Sequence, residues 1–124
     1  MKYKNILQID DDDDDCDFFH QALSSISEAD YTSLHNPIEA LCQLTAREIN
    51  PDIIFLDINM PLMTSIGFLF ERKKRDVIKN IPIIIFSTSD TQQEKKIAKT
   101  LGAEDFLTKP ASLSELTNLH RQVI

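Results

Sequence analysis

Short runs of apolar residues, many of them β-branched, alternate along this chain with longer segments in which apolar positions recur at helical spacing. The runs predict five strands, at residues 5–9, 31–34, 53–56 and 83–86 and at the pair Phe106 and Leu107. The run at 53–56 is wholly apolar, which is typical of a central strand covered on both faces. Strands that alternate with helical segments in this way indicate an α/β protein.

A helix is expected after each of the five strands. The first covers residues 16–26 and the third covers residues 66–75. Residues that cap helices mark the starts of the other three, namely Asn36 before Pro37, Thr91 with Glu94, and Ser112 with Glu115. Gly102 fits the left-handed residue that ends the fourth helix.

Each helix is expected to turn its apolar side toward the sheet. Helical spacing predicts these inward residues: Phe18, Phe19, Ala22, Leu23 and Ile26 in the first helix, Ile38, Leu41 and Cys42 in the second, and Leu113, Leu116, Leu119 or His120, and Val123 in the fifth. The basic run Arg72, Lys73, Lys74 and Arg75 is interpreted as a solvated helix face.

Five strand–helix pairs in strict alternation predict a five-stranded parallel sheet with helices on both faces. Right-handed crossovers leave few arrangements of such units, and the flavodoxin-like order 2-1-3-4-5 is the expected one. In sheets of this kind, ligands bind beyond the carboxyl ends of the strands, where the strand order reverses. The residues that follow each predicted strand are therefore the candidates for a binding site.

Carboxylates follow the two strands that flank this reversal. Asp10 and Asp11 end the first strand and begin a run of aspartates that continues through Asp15, and Asp57 ends the third strand. Ser87 and Thr88 follow the fourth strand, and Lys109 with Pro110 follows the fifth. The predicted topology therefore brings three carboxylates, a hydroxyl and a lysine to one end of the sheet.

Clustered carboxylates repel one another unless they are protonated or neutralised by a cation. A site made of oxygen ligands, with water completing the coordination, suits Mg²⁺. A carboxylate beside such a metal can attack phosphorus and form an aspartyl-phosphate, while a lysine neutralises charge on the transferred group. The residue types at this edge thus favour acceptance of a phosphoryl group by Asp57.

Four segments carry a specific resemblance: ILQIDD at 6–11, IIFLDINMP at 53–61, IPIIIFSTS at 81–89 and LGAEDFLTKP at 101–110. Over essentially its whole length the chain resembles the receiver domain of bacterial two-component response regulators, which has the CheY-like fold. The resemblance implies a signalling domain, 1–124, that is not an enzyme in the usual sense but assists its own phosphorylation and dephosphorylation. It further implies that the domain receives a phosphoryl group from a sensor histidine kinase or a histidine phosphotransfer protein and reports it to a downstream protein.

The resemblance also assigns roles to individual residues. Asp57 would be the phosphoacceptor and Lys109 the lysine that contacts the phosphoryl group. Asp11 would bind Mg²⁺ directly, Asp10 largely through water, and Asn59 through its backbone carbonyl. Ser87 and Phe106 would be the hydroxyl and the aromatic side chain of the conformational switch. In this family the Lys-Pro bond that 109 and 110 match is generally cis.

Two local features depart from the family pattern or leave it open. Thr64 and Ser65 stand where the family usually has Asp-Gly, so the turn lacks the glycine that normally forms it. Within the aspartate run, Asp12 is an alternative metal ligand if the acidic pair lies one residue further along. Asp13, Asp14 and Asp15 are interpreted as charges that favour a helix N-terminus.

Composition narrows the class of partners. The net charge is −7 and the pI is near 4.8, which disfavours direct binding to nucleic acid or to an anionic membrane. No apolar run is long enough for a membrane span or a signal peptide, so a cytoplasmic location is expected.

Cys16 and Cys42 lack a paired spacing and are expected to be buried free thiols. The three histidines are dispersed, and no motif places them near a nucleophile.

Three other functions fit the sequence less well. A haloacid-dehalogenase-like phosphatase would use Asp10 and Asp12, but it leaves Asp57 unexplained. A Ca²⁺-binding loop at 10–15 lacks the required glycine and glutamate. A degenerate receiver that only binds proteins is disfavoured because the residues expected of a working switch are intact.

Overall fold

The five apolar runs form one parallel sheet in the computed structural model, which describes residues 3–57, 65–88 and 91–124. Its strands are β1 (Asn5–Ile9), β2 (Asp30–Leu34), β3 (Ile53–Leu56), β4 (Ile83–Ser87) and β5 (Asp105–Thr108). The helices are α1 (Asp13–Ser24), α2 (Pro37–Thr45), α3 (Ser65–Lys73), α4 (Gln92–Thr100) and α5 (Leu113–Val123). The strand order is β2-β1-β3-β4-β5, which confirms the predicted fold.

The sheet separates two apolar cores because successive side chains of a strand point to opposite faces. Leu7, Ile54 and Ile85 pack on the face covered by α2, α3 and α4. On the other face, Phe55 and its neighbours pack against α1 and α5, with the Phe19 and Phe55 rings 4.9 Å apart. All residues of β3 and β4 are buried, as expected of central strands.

Side-chain caps begin the helices at the places that the sequence predicts. Asn36 accepts hydrogen bonds from the amides of Ile38 and Glu39, at 2.9 and 3.2 Å. Thr91 caps α4 and Ser112 caps α5 by accepting from the amide three residues later. The first helix begins at Asp13, three residues before its predicted start, because the Asp12 side chain caps it.

The buried face of α2 differs from the predicted one. Ala40, Leu41 and Leu44 are buried, whereas Ile38 is 43% exposed and Cys42 is exposed. The prediction was wrong for Ile38 and Cys42, since Ala40 and Leu44 provide an equally good helical spacing around Leu41. Both cysteines are free thiols, and Cys16 is buried as expected.

Arg72 also departs from its predicted place on a solvated face. Its side chain is buried, and its two terminal nitrogens donate to the carbonyl oxygens of Ile81 and Gly102, at 2.6 and 3.0 Å. Gly102 has a φ of 96°, and a Cβ at this position would lie only 2.9 Å from the Arg72 guanidinium. Arg72 therefore joins the segments before β4 and after α4, which lie far apart in sequence.

Candidate functional site

The carboxyl ends of β1 and β3 bring three carboxylates together. Ile9 pairs with Leu56, so the next residues, Asp10 and Asp57, lie side by side beyond the strands. One oxygen from each of Asp10, Asp11 and Asp57 lies within 4.8 Å of the others. Asp10 is buried, Asp57 is partly buried and Asp11 is exposed, so the group is open to solvent on one side. Such a set of oxygen atoms can hold a hard divalent cation such as Mg²⁺.

Backbone hydrogen bonds continue the sheet beyond these strands and position the cluster. The amide of Asp57 donates to the carbonyl of Ile9 at 2.9 Å, and the amide of Asp10 donates to the carbonyl of Leu34 at 3.1 Å. Asp10 and Asp57 are therefore held by the same ladder that holds the core. Their positions do not depend on the surface loops.

Both carboxylate oxygens of Asp10 have partners. Its Oδ1 accepts from the Asp12 amide at 3.0 Å, and its Oδ2 accepts from the Lys109 ammonium at 2.6 Å. Burial removes water from this carboxylate and raises its pKa, an effect that Lys109 offsets only in part. The charge on Asp57 raises the same pKa further. A cation bound to the cluster would remove this cost.

Lys109 lies under the cluster and is only 9% exposed. Its Nζ is 2.6 Å from Asp10 Oδ2, 2.8 Å from Asp15 Oδ2 and 3.6 Å from Asp57 Oδ1. Burial by itself lowers the pKa of Lys109, but the hydrogen bonds to Asp10 and Asp15 and the charge of Asp57 outweigh it. The pKa of Lys109 is raised as a result, and the side chain stays cationic at neutral pH.

The two predicted switch residues, Ser87 and Phe106, lie on β4 and β5, between this cluster and α4. Ser87 is buried at the end of β4, and its carbonyl accepts from the amide of Lys109 at 2.8 Å. Phe106 is half-buried and packs against the core that α4 covers. Beside it lies a cleft of about 320 Å³ between α4 and β5, which Lys95, Ala98 and Lys99 also line. The Lys109–Pro110 bond is trans, which differs from the cis bond that the resemblance implied.

Asp12 has a different function from its neighbours in the aspartate run. Its carboxylate accepts from the amides of Asp14 and Asp15, at 2.9 and 3.2 Å, and so caps α1. The acidic cluster among the described residues contains Asp10 and Asp11 instead. This geometry favours the first register of the acidic pair over the alternative with Asp12. Asn59 and Thr64 lie outside the described residues, as does the side chain of Ser65.

His35 is a neighbour of the site that sequence reasoning missed. Its Nδ1 donates to the backbone carbonyl of Asp10 at 2.9 Å, and its Nε2 lies 3.1 Å from Asp13 Oδ1. The signal was available, because His35 directly follows β2 at the same end of the sheet as Asp10. His35 supports the backbone of the segment that carries the acidic pair.

Comparisons with known proteins agree with this geometry. The family model of the response regulator receiver domain matches residues 6–121. The response regulator protein GraR of Staphylococcus aureus is 32% identical over 83 residues, which cover 64% of this chain and 36% of GraR. The chain thus spans about a third of the length of the curated relatives it matches.

Solved structures of response regulators have the same fold. The phosphorylated cyanobacterial phytochrome response regulator RcpA superposes with a TM-score of 0.87 and 27% identity, covering 98% of this chain and 91% of RcpA. The chemotaxis response regulator CheY4 of Vibrio cholerae superposes with a TM-score of 0.81 and 25% identity, covering 97% and 98% of the two chains.

A parallel five-stranded sheet with an acidic cluster and a lysine at its carboxyl edge defines a receiver-type signalling domain. The chain belongs to the response regulator receiver family of two-component systems. Within the residues that the structure describes, no helix combines the length and the apolar character needed to cross a bilayer.

Proposed function

We propose that Asp57 accepts a phosphoryl group from a phosphohistidine of a sensor histidine kinase or a histidine phosphotransfer protein. The observation that carries this proposal is the cluster of Asp10, Asp11 and Asp57 within 4.8 Å, with the Lys109 ammonium 3.6 Å from Asp57. Asp57 is partly exposed, so a donor can reach its carboxylate, whereas Asp10 is buried and already accepts a hydrogen bond at each carboxylate oxygen.

In the proposed transfer, a carboxylate oxygen of Asp57 attacks phosphorus. A new O–P bond forms as the P–N bond to the donor histidine breaks, and the leaving imidazole keeps the electron pair and takes a proton. Lys109 supplies positive charge next to the accepting carboxylate. Ser87, at the end of the neighbouring strand, is the hydroxyl proposed to contact the transferred group.

The cation proposed for this site is Mg²⁺, with Asp11 and Asp57 as direct carboxylate ligands, the backbone carbonyl of Asn59 as a third ligand and Asp10 acting largely through water. The oxygen-only set of donors and the raised pKa of Asp10 fit a hard cation here. When bound, Mg²⁺ neutralises negative charge on the transferred phosphoryl group.

The phosphoryl group is proposed to act on partners through the surface of α4, β5 and α5. The carbonyl of Ser87 accepts a hydrogen bond from the amide of Lys109. Phe106, on the neighbouring strand β5, lines the cleft against α4. A shift of Ser87 toward a phosphoryl group would leave space for Phe106 to repack, and this would alter that cleft.

We propose a protein as the downstream partner, a cytoplasmic location, and no direct contact with nucleic acid or membrane, in keeping with the net charge of −7.

The test is phosphorylation by acetyl phosphate with Mg²⁺, followed by intact-mass measurement. The wild type is expected to gain one phosphoryl group that is stable in acid and lost in base. Asp57→Asn is expected to gain none, while the control Asp76→Asn, which alters an exposed carboxylate paired with Lys79, labels like the wild type. Chelation of Mg²⁺ is expected to abolish labelling.

Persistent labelling of Asp57→Asn would show that another residue is the acceptor. Sustained release of inorganic phosphate over many turnovers, without a labelled protein, would indicate a phosphatase instead of a stoichiometric acceptor. An unlabelled wild type that also fails to bind beryllofluoride would favour a protein-binding role without phosphorylation.

A further inference from the structure

Lys109 is bound more closely by a carboxylate outside the metal cluster than by the proposed phosphoacceptor. Its Nζ lies 2.8 Å from Asp15 Oδ2 but 3.6 Å from Asp57 Oδ1. The contact with Asp15 is a charge-assisted hydrogen bond. The contact with Asp57 Oδ1 is an ion pair that is too long for a hydrogen bond. Asp15 is not part of the cluster formed by Asp10, Asp11 and Asp57 among the described residues.

The fold places Asp15 at Lys109 through the start of α1. Asp12 caps this helix and accepts from the amide of Asp15 at 3.2 Å, which fixes the backbone of the first turn. The Asp15 carboxylate then lies at the rim of the site with 40% of its side chain exposed. From the sequence alone, Asp15 is only a charge that favours the helix N-terminus.

Apolar side chains lie near Lys109, whose own side chain is only 9% exposed. Lys109 and Asp15 share a narrow cleft with Phe18, Phe86, Pro110 and Leu116, and the ammonium lies 5.9 Å from the centre of the Phe86 ring. Since the side chain is confined, the carboxylates around it decide where the ammonium settles. Two of its three N–H groups are used by Asp10 and Asp15.

We propose that Asp15 is a positioning residue that restrains Lys109 in the unphosphorylated protein and competes for it with the phosphoryl group on Asp57. This inference rests on the proposed function of Asp57. Asp15 occupies one N–H group of Lys109 and cancels part of its positive charge. A phosphoryl oxygen on Asp57 would need both that N–H group and that charge. Asp10, being buried, keeps its hydrogen bond to Lys109 in either state, so only the exposed Asp15 is free to exchange.

The experiment is a titration of the protein with beryllofluoride in the presence of Mg²⁺, followed by amide NMR. Beryllofluoride stands in for the phosphoryl group on Asp57. Asp15→Asn is expected to bind it about three- to tenfold more tightly than the wild type, because one competing charge-assisted hydrogen bond is removed. Asp15→Ser provides a second variant with a short polar side chain, and the melting temperature of each variant establishes that it is folded.

Asp14→Asn is the matched control. Asp14 lies in the same first turn and carries the same charge, but Lys109 contacts Asp15 and not Asp14. Its substitution is expected to change the affinity by less than about twofold, since an exposed charge acts weakly through solvent. A second control repeats Asp15→Asn in a Lys109→Met background, where the gain in affinity is expected to vanish.

Equal gains for Asp14→Asn and Asp15→Asn, or a gain that persists without Lys109, would show only a general effect of charge and overturn the inference. Weaker binding by both Asp15 variants would also overturn it, since Asp15 would then help the phosphoryl site. If the wild type binds no beryllofluoride, the proposed function of Asp57 itself fails.

Discussion

Lys109 and His120 are both buried basic side chains, but their surroundings act on them in opposite directions. Carboxylates surround Lys109 and raise its pKa despite its burial. His120, only 1% exposed, lies with its ring 4.3 Å from that of Phe19, and neither of its ring nitrogens has a hydrogen-bond partner within the described part of the chain. Burial alone lowers the pKa of His120 to about 4. Neighbouring carboxylates therefore keep buried Lys109 charged, whereas burial without such neighbours keeps His120 neutral.

His120 is expected to make the stability of the fold depend on pH. Its pKa is lower in the folded protein than its ordinary value of 6.5, so between pH 6.5 and about 4 the unfolded chain binds the proton more readily. The free energy of unfolding should therefore have its full value, as far as His120 is concerned, above pH 6.5. It should fall as the pH drops through this window, by at most about 3 kcal/mol. Urea unfolding at a series of pH values measures this effect.

The variant that isolates this effect is His120→Leu, which keeps an apolar contact with Phe19. Its free energy of unfolding should lose most of the slope between pH 6.5 and 4. His20→Gln is the matched control, since His20 is exposed on α1 and stacks on Tyr31. A slope that is unchanged in His120→Leu would assign the pH dependence to another group.

At the scale of elements, the N-terminus of α1 connects the core to the acidic site. Asp12 caps the helix, and its own amide donates to Asp10 Oδ1 at 3.0 Å. The same turn places Asp15 against Lys109 and Asp13 against His35. One short segment thus orients several of the carboxylates near Asp57, and its geometry depends on a single capping side chain.

Replacement of this cap should weaken the fold without removing a metal ligand. Asp12→Ala is expected to lower the free energy of unfolding by about 1 kcal/mol, because two amides at the start of α1 lose their acceptor. Asp12→Ser should recover most of the loss, and Asn36→Ala, which removes the equivalent cap of α2, should cost a similar amount. Urea unfolding measures all three variants. If Asp12→Ala without metal is more stable than the wild type, Asp12 belongs to the cation site, as in the alternative register.

At the scale of the whole molecule, negative charge is concentrated at one end of the sheet. Six consecutive aspartates begin at Asp10, and Asp57, which directly follows β3, lies beside the first two of them. The net charge of the chain is −7. Lys109 is the lysine that reaches Asp10, Asp15 and Asp57 together. The fold without a cation therefore carries a repulsion between Asp57 and the aspartate run, which the unfolded chain largely escapes because Asp57 is distant in sequence.

Mg²⁺ should consequently raise the melting temperature, because a cation that binds the native cluster stabilises it by mass action. Asp11→Asn should relieve part of the repulsion, so the metal-free variant is expected to melt higher than the wild type while its response to Mg²⁺ shrinks. Differential scanning calorimetry with and without Mg²⁺ measures both effects. Asp17→Asn, which alters an exposed aspartate of α1 outside the cluster, should keep the full Mg²⁺ response. A full response in Asp11→Asn would exclude Asp11 as a ligand.

The amino-acid sequence by itself determined the order of strands and helices, most of the helix caps, and the residues that the carboxyl ends of the strands bring together. These features depend on local patterns: apolar runs, capping side chains, and the rule that parallel strands end at one edge. Asp10 and Asp57 could be predicted as neighbours because each directly follows a buried strand. The start of α1 was misplaced by three residues because a run of aspartates does not mark which one caps the helix.

Only the tertiary structure decided which partner each long side chain chooses. Lys109 meets Asp10 and Asp15 across 99 and 94 residues of sequence, and Arg72 meets the carbonyl of Gly102 across 30. A local pattern describes Arg72 only as a surface cation and places Lys109 only at the edge of the site, because the groups that bury and neutralise them come from distant elements. Contacts of this kind depend on how helices settle on the sheet, and they decide that Lys109 lies closer to Asp15 than to Asp57.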